Sequence, residues 1–203
     1  ALFLPSGTMC NEIAYRVWVR PGEEIILHET SHAIHFEVGG PAALSGAMLR
    51  TVPGPRGMFT GDDVKAAVRP KGRHFPRSAL VSVEQTANLG GGAVWPLTQL
   101  EDVSAAARWN TLKVHMDGAR LFNAVVASNV SAQEYAAVAD SVWIDLSKGL
   151  GCPVGAVLAG PRDFIEEAFR FKHQFGGAMR QAGIIAAAGV FALQFHIERL
   201  AAD

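Results

Sequence analysis

The stretch Asp140-Ser-Val-Trp-Ile-Asp-Leu-Ser-Lys148-Gly-Leu-Gly-Cys-Pro-Val-Gly155 decides how this chain reads. Its apolar run Ser141–Asp145 has the length and residue types of a buried strand, and a glycine-rich turn carrying one lysine follows it. A second run, Leu112–Met116, ends at His115-Met-Asp117-Gly-Ala-Arg120. If the two strands are parallel neighbours, Asp117 and Lys148 share one sheet edge. That is the edge where ligands of open α/β sheets gather.

A lysine meeting a carboxylate at neighbouring strand ends is what pyridoxal 5'-phosphate (PLP) requires. The amine forms a Schiff base with the cofactor, and the carboxylate keeps the pyridine nitrogen protonated so that the ring accepts electrons. A desolvated lysine is also a competent amine nucleophile. With a helix starting near Gly118, Asp117 and Arg120 stand one turn apart, which suits Asp117 on the pyridine nitrogen and Arg120 near the phenolic oxygen. The same two residues also read as a helix cap and an exposed arginine.

Outward from this pair, short β-rich runs alternate with helical stretches. Strands are predicted at Glu24–His28, Ala47–Val52, Ala79–Val83, Leu112–Met116, Ser141–Asp145 and Val154–Ala159. Helices are predicted at Asn11–Val19, His32–Leu44, Thr60–Val68, Thr98–Asn110, Arg120–Ser128, Ser131–Val138, Pro161–His173 and Arg180–Leu200. Thr98 with Glu101 and Ser131 with Glu134 have capping-box spacing, and Pro161 suits a first helical turn. The alternation implies an α/β domain with a mostly parallel sheet flanked by helices.

Composition narrows the function classes. With 203 residues, 49% hydrophobic and 18% charged, the chain is globular and sized for one domain. A net charge of −1 with no basic block argues against nucleic acid or an anionic membrane as partner. The apolar stretch Ala182–Phe195 is interrupted by glycines and Gln194 and is too short to span a bilayer. Residues 1–20 lack the order of a signal peptide, and two cysteines fit a reducing compartment, so a cytoplasmic location is expected. The chain begins at Ala1 almost inside a motif and ends in helical pattern, which reads as one PLP-binding large domain, 1–203, cut from a longer enzyme.

Further motifs carry chemistry, each with a plainer alternative. Ser6-Gly7-Thr8 precedes a helix, where free N–H groups and the dipole favour a phosphate, or where the serine simply caps. His28-Glu29-Thr30-Ser31-His32 fits the zinc-protease pattern, but His28 belongs to a strand and the extended ligand set fails at His35 and Val38. His32 alone could instead offer an aromatic face to a cofactor ring. Glu84-Gln-Thr-Ala-Asn88-Leu-Gly90-Gly91-Gly92 places Glu84 at the same sheet edge as Asp117, or is only a glycine-rich turn.

Six ordered motifs together resemble the low-specificity L-threonine aldolases, of the β-eliminating lyase group of fold-type I PLP enzymes. They are Ser6 to Asn11, His32 with Phe36-Glu-Val-Gly-Gly40, Glu84 to Gly92, His115 to Arg120, Ser147 to Gly155 and Gly176-Gly-Ala-Met-Arg-Gln181, spanning nearly the whole chain. The resemblance implies PLP on Lys148, Asp117 at the pyridine nitrogen, Arg120 on the ring-oxygen side, Gly7 and Thr8 at the phosphate, and His32 stacked on the ring. Arg180 resembles an arginine near the active site. The implied reaction is retro-aldol cleavage of a β-hydroxy-α-amino acid, such as threonine, allo-threonine or phenylserine, to glycine and an aldehyde, with His32 or a water as base. A homotetramer without metal is the implied assembly.

Three departures qualify the likeness. Ala87 stands where many relatives have a histidine, which predicts a wider pocket. His173 replaces a lysine. An amino-terminal arm and a carboxyl-terminal small domain, which brings an arginine to the substrate carboxylate, have no counterpart. Competing readings are another PLP-dependent β-elimination on the same scaffold and a catalytically incomplete cofactor-binding piece.

Overall fold

A computed structural model describes residues 1–203. In chain order the elements begin with β1 (Leu2–Leu4), α1 (Gly7–Trp18), β2 (Glu24–His28), α2 (His32–His35), α3 (Gly40–Ser45), β3 (Met48–Val52), α4 (Gly61–Ala67) and β4 (Ser78–Glu84). They continue with α5 (Leu97–Trp109), β5 (Lys113–Gly118), α6 (Leu121–Ser128), α7 (Ala132–Ala137), β6 (Ser141–Asp145), β7 (Ala156–Ala159), α8 (Arg162–Gln174) and α9 (Gly183–Phe195). One sheet of seven strands has the order β1-β7-β6-β5-β4-β2-β3. The five strands from β3 to β6 run parallel, and β7 and β1 add antiparallel pairings at one edge.

Both faces of the sheet are covered, so its central strands are buried at nearly every position rather than alternating with solvent. Ile26, Val81, Val83, Val114 and Met116 point to one core with Phe59, Trp95, Leu100 and Tyr135. Ile25, Leu27 and Leu80 point the other way, toward Tyr15 and Val19 of α1 and its carboxyl end. Beside them Cys10, Ile13 and Ala14 of α1 pack with Trp143, Leu158, Phe164 and Ala168. Trp18 Nε1 donates to Ser141 Oγ at 2.9 Å and ties the end of α1 to β6.

The predicted α/β architecture holds, and particular elements differ. The edge strand β1 was not predicted, since three residues are too few to show a period. β7 runs antiparallel because the connection from β6 holds no crossover helix, and a parallel return needs one. The predicted helix His32–Leu44 is two pieces, broken where Val38 and Gly39 adopt left-handed φ of 54° and 74°.

Thr98 forms no capping box, because α5 starts one residue earlier after Pro96. Ser131–Glu134 does form one, and so does Thr60–Asp63 at α4. Pro161 is the N-cap of α8 rather than its first residue. The last predicted helix stops at Phe195, and a 3-10 turn, Glu198–Ala202, follows it. No helix is long and apolar enough to cross a membrane.

Candidate active site

The carboxyl ends of β4, β5 and β6 bring Glu84, Asp117 and Asp145 to one sheet edge. Glu84 pairs with Asp117, and Asp117 with Trp143, in the ladder register. The amino end of α1 points at this edge. Between them lies a cavity of about 280 Å³ lined by Gly7, Thr8, His32, Glu84, Asp117, Arg120, Asp145 and Lys148, with Trp143 at its wall. Seven of these eight residues were candidates from sequence; Asp145 was not.

Each side chain has a local cause. Ser6 caps α1 by accepting Met9 N–H at 3.2 Å, and the remaining first-turn amides of a helix lack internal partners. Gly7 is obligatory there: a Cβ at that position would lie 2.2 Å from the Trp143 ring. Trp143 is itself fixed by donating Nε1–H to Asn11 Oδ1 at 2.6 Å.

Asp117 is buried on β5, where its Oδ1 accepts from the Ala119 amide at 3.1 Å and Oδ2 from Asn11 Nδ2 at 2.9 Å. Burial, and then the neighbouring Glu84 charge, push its carboxyl up to about 7. Glu84 bridges two loops, accepting Asn88 N–H at 3.1 Å and His32 N–H at 3.2 Å, and burial raises its pKa as well. His32 Nδ1 lies 2.9 Å from Glu37 Oε1, and this hydrogen bond raises the imidazole above its ordinary value.

Lys148 sits in the turn after β6 with its side chain about one-third exposed. Its Nζ is 3.6 Å from Asp145 Oδ2 and 5.9 Å from the centre of the Trp143 ring. Asp145 Oδ1 in turn accepts from the amide and hydroxyl of Ser147, each at 2.7 Å, which shapes that turn. Arg120 occupies the N-cap position of α6 without a side-chain capping bond and is not one helical turn from Asp117, because β5 continues through Gly118.

Other sequence candidates lie elsewhere. Arg180 is exposed beside His173 and Met179, outside the cavity. His28 ends β2, with Nε2 on the Gly54 carbonyl at 3.0 Å and Nδ1 engaged with Thr30, and Glu29 is exposed. His28 and His32 therefore do not share a helical face. Ala87 is buried against Gly57 and Gly90 and does not line the cavity, so the expected widening does not arise there.

The sequence reading missed three polar side chains of the site's support: Asn11, Glu37 and Asp145. Asn11 gave the clearest signal, as a polar residue on a helix face that is otherwise Cys10, Ile13 and Ala14.

The donor set suits a phosphorylated aromatic aldehyde: a helix amino end with an enforced glycine, an amine, a buried carboxylate, an arginine and an aromatic face. Comparison with known proteins bears on that class. Residues 1–203 match the family described as beta-eliminating lyase, and the chain belongs to that family. It is 41% identical over 204 residues to the low-specificity L-threonine aldolase of Escherichia coli K12, covering all of this chain and 60% of that protein. It is 39% identical over 196 residues to an alanine racemase of Cochliobolus carbonum, covering 95% of this chain and 49% of that one. The solved Leishmania major threonine aldolase superposes with a TM-score of 0.88 at 25% identity, over 97% of this chain and 58% of that chain. The chain thus spans about half to three-fifths of the length of these relatives.

Proposed function

We propose that this chain carries the cofactor site of a PLP-dependent aldehyde-lyase that cleaves a β-hydroxy-α-amino acid, such as threonine, allo-threonine or phenylserine, to glycine and an aldehyde. The observation that carries the reading is the meeting of Lys148, Asp117, Arg120, His32 and the α1 amino end in one cavity. Bound PLP supplies an electron sink for the bond broken at the amino acid's Cα.

The protein's own residues then divide the work. The first-turn amides at Gly7 and Thr8 and the Thr8 hydroxyl would hold the phosphate at the positive end of the α1 dipole. Asp117, held by Asn11 and Ala119, would keep a proton on the pyridine nitrogen. With PLP bound, Arg120 would serve the ring-oxygen side, His32 would offer an aromatic face, and Lys148 would supply the amine for covalent attachment; all three line the cavity. The proton of the substrate's β-hydroxyl leaves to His32 or to a water beside it, and Glu37 on Nδ1 makes that imidazole the more basic. Glu84 holds the His32 backbone in place for this.

The reading extends to a cytoplasmic homotetramer acting on a small amino acid. Free Cys10 and Cys152 support a reducing location. An apolar face on α9, with Ile184, Val190, Phe191 and Phe195 more than half exposed, supports association.

A second reading, a different PLP reaction on the same scaffold, is favoured by the likeness to an alanine racemase. Incubation with threonine, allo-threonine, phenylserine and L-alanine separates the two. Equal amounts of glycine and aldehyde from a hydroxy amino acid support the aldolase. D-alanine without glycine from any hydroxy substrate would assign the second reading.

A further inference from the structure

Behind His32 two more carboxyl groups are buried: Glu12 on α1, 2% exposed, and Glu37 after α2, 4% exposed. Glu37 Oε1 accepts from Asn11 Nδ2 at 2.7 Å and from His32 Nδ1 at 2.9 Å. Glu37 Oε2 and both oxygens of Glu12 have no hydrogen-bond donor. The fold makes room for the Glu12 carboxyl, since a Cβ on Gly40 would lie 2.1 Å from its Oε1. The Glu12 carboxyl lies against Gly40, whose amide donates to the Glu37 carbonyl at 2.8 Å, so the two side chains are neighbours, and no arginine or lysine forms an ion pair with either. Two adjacent ionised carboxylates cannot both be kept charged in such a place, but one proton between them removes the repulsion and gives Glu37 Oε2 a donor.

We propose that Glu12 is a neutral acid donating its proton to Glu37 Oε2, and that it thereby acts as a positioning residue for His32 and Asp117. Glu37 is then pinned with Oε1 on His32 and on Asn11, whose amide also serves Asp117. A Glu37 free to rotate would release both. Keeping Glu12 neutral also spares Asp117 another buried negative charge in its surroundings. Burial, followed by the Glu37 charge, pushes Glu12 up to about 9, in line with this assignment.

The groups facing this cluster come from several elements. His32 is faced by Glu37, by Asp117 of β5 and by Glu84 of β4. The Lys148 charge acts on Glu84 from the turn after β6, and the Glu37 charge acts on the buried thiol of Cys10 and phenol of Tyr15 on α1, Tyr15 also feeling Glu12.

The purpose assigned to the pair rests on the PLP reading, but its test needs no cofactor. Imidazole NMR would follow the His32 titration in the 203-residue chain, as wild type, Glu12→Gln and Glu37→Gln. Infrared spectra would follow protonated carboxyls. The glutamine at 12 keeps a donor and adds no charge, so the His32 midpoint stays near wild type, while Glu37→Gln lowers it by about one pH unit or more. Above the Asp117 value of about 7 the wild type still shows a protonated-carboxyl band, which disappears only near pH 9 and which Glu12→Gln removes. A His32 midpoint that falls as far in Glu12→Gln as in Glu37→Gln would overturn the proposal. So would a wild-type chain without that band, a result that does not depend on either variant folding. A chain that shows this behaviour yet binds no PLP would instead sink the cofactor reading alone.

Discussion

Asp145 Oδ2 lies 3.6 Å from Lys148 Nζ, three residues along the chain, so the last residue of β6 holds the only lysine lining the cavity. The same carboxylate anchors Ser147 through Oδ1, and therefore sets both the turn and the place of the amine.

Asp145→Asn keeps an oxygen for Ser147 and removes only the charge beside Lys148. Because the lysine is partly exposed, the loss is small: a rise of about fivefold or less in the PLP concentration for half-saturation, read by titration of the bound cofactor's absorbance. Asp145→Ala also frees the turn and should cost more. Equal effects from the two would show that the charge, not the turn, matters.

Asp117→Ala leaves the Ala119 amide without its acceptor and Asn11 with only Glu37, and removes the carboxylate assigned to the pyridine nitrogen. Loss of a charged buried hydrogen bond predicts a fall of about ten- to a hundredfold in PLP affinity. Fluorescence titration with PLP checks it, with inorganic phosphate as control; phosphate binding at α1 should change little.

Gly7→Ala forces a methyl group into the Trp143 ring. Overpacking at so close a contact predicts a loss of about 1–3 kcal/mol in denaturant unfolding, with weaker phosphate binding because α1 must withdraw. Unchanged stability would mean that α1 is less tightly seated than its contacts indicate.

Glu12 gives a stability prediction with a definite sign. Its folded value near 9 lies above the ordinary 4.5, so between these limits the folded chain keeps a proton that the unfolded chain has lost. Stability from this group is therefore full below about pH 4.5 and is lost as pH rises toward 9, at up to about 1.4 kcal/mol per pH unit for one proton. Glu12→Gln has no such proton, and its stability relative to wild type should climb across that range. Parallel curves for the two proteins would contradict a protonated Glu12.

Much of this was readable in the sequence, for physical reasons. Glu24–His28 and Ser141–Asp145 were bounded correctly because strands inside a sheet covered on both faces leave short apolar runs, fully buried in the first and partly buried in the second. Lys148, Asp117 and Glu84 were placed together because each closes such a run at the same sheet edge. Strand direction leaves no mark in composition, so the antiparallel β7 stayed hidden, as did a helix break at Val38, a β-branched residue that seldom adopts positive φ. The link from Asn11 to Glu37 and Asp117 joins three distant segments and follows no spacing rule. Ala87 misled because its neighbours in the chain line the sheet edge while its own side chain packs under Gly57.

The visible absorption spectrum of the chain mixed with PLP, before and after borohydride reduction, tests the central claim most directly. The account predicts a cofactor band in the wild type that Lys148→Ala lacks, and a reduced phosphopyridoxyl group recovered on the peptide containing Lys148. A folded wild-type chain with no such band, or with the label on another lysine, would contradict it.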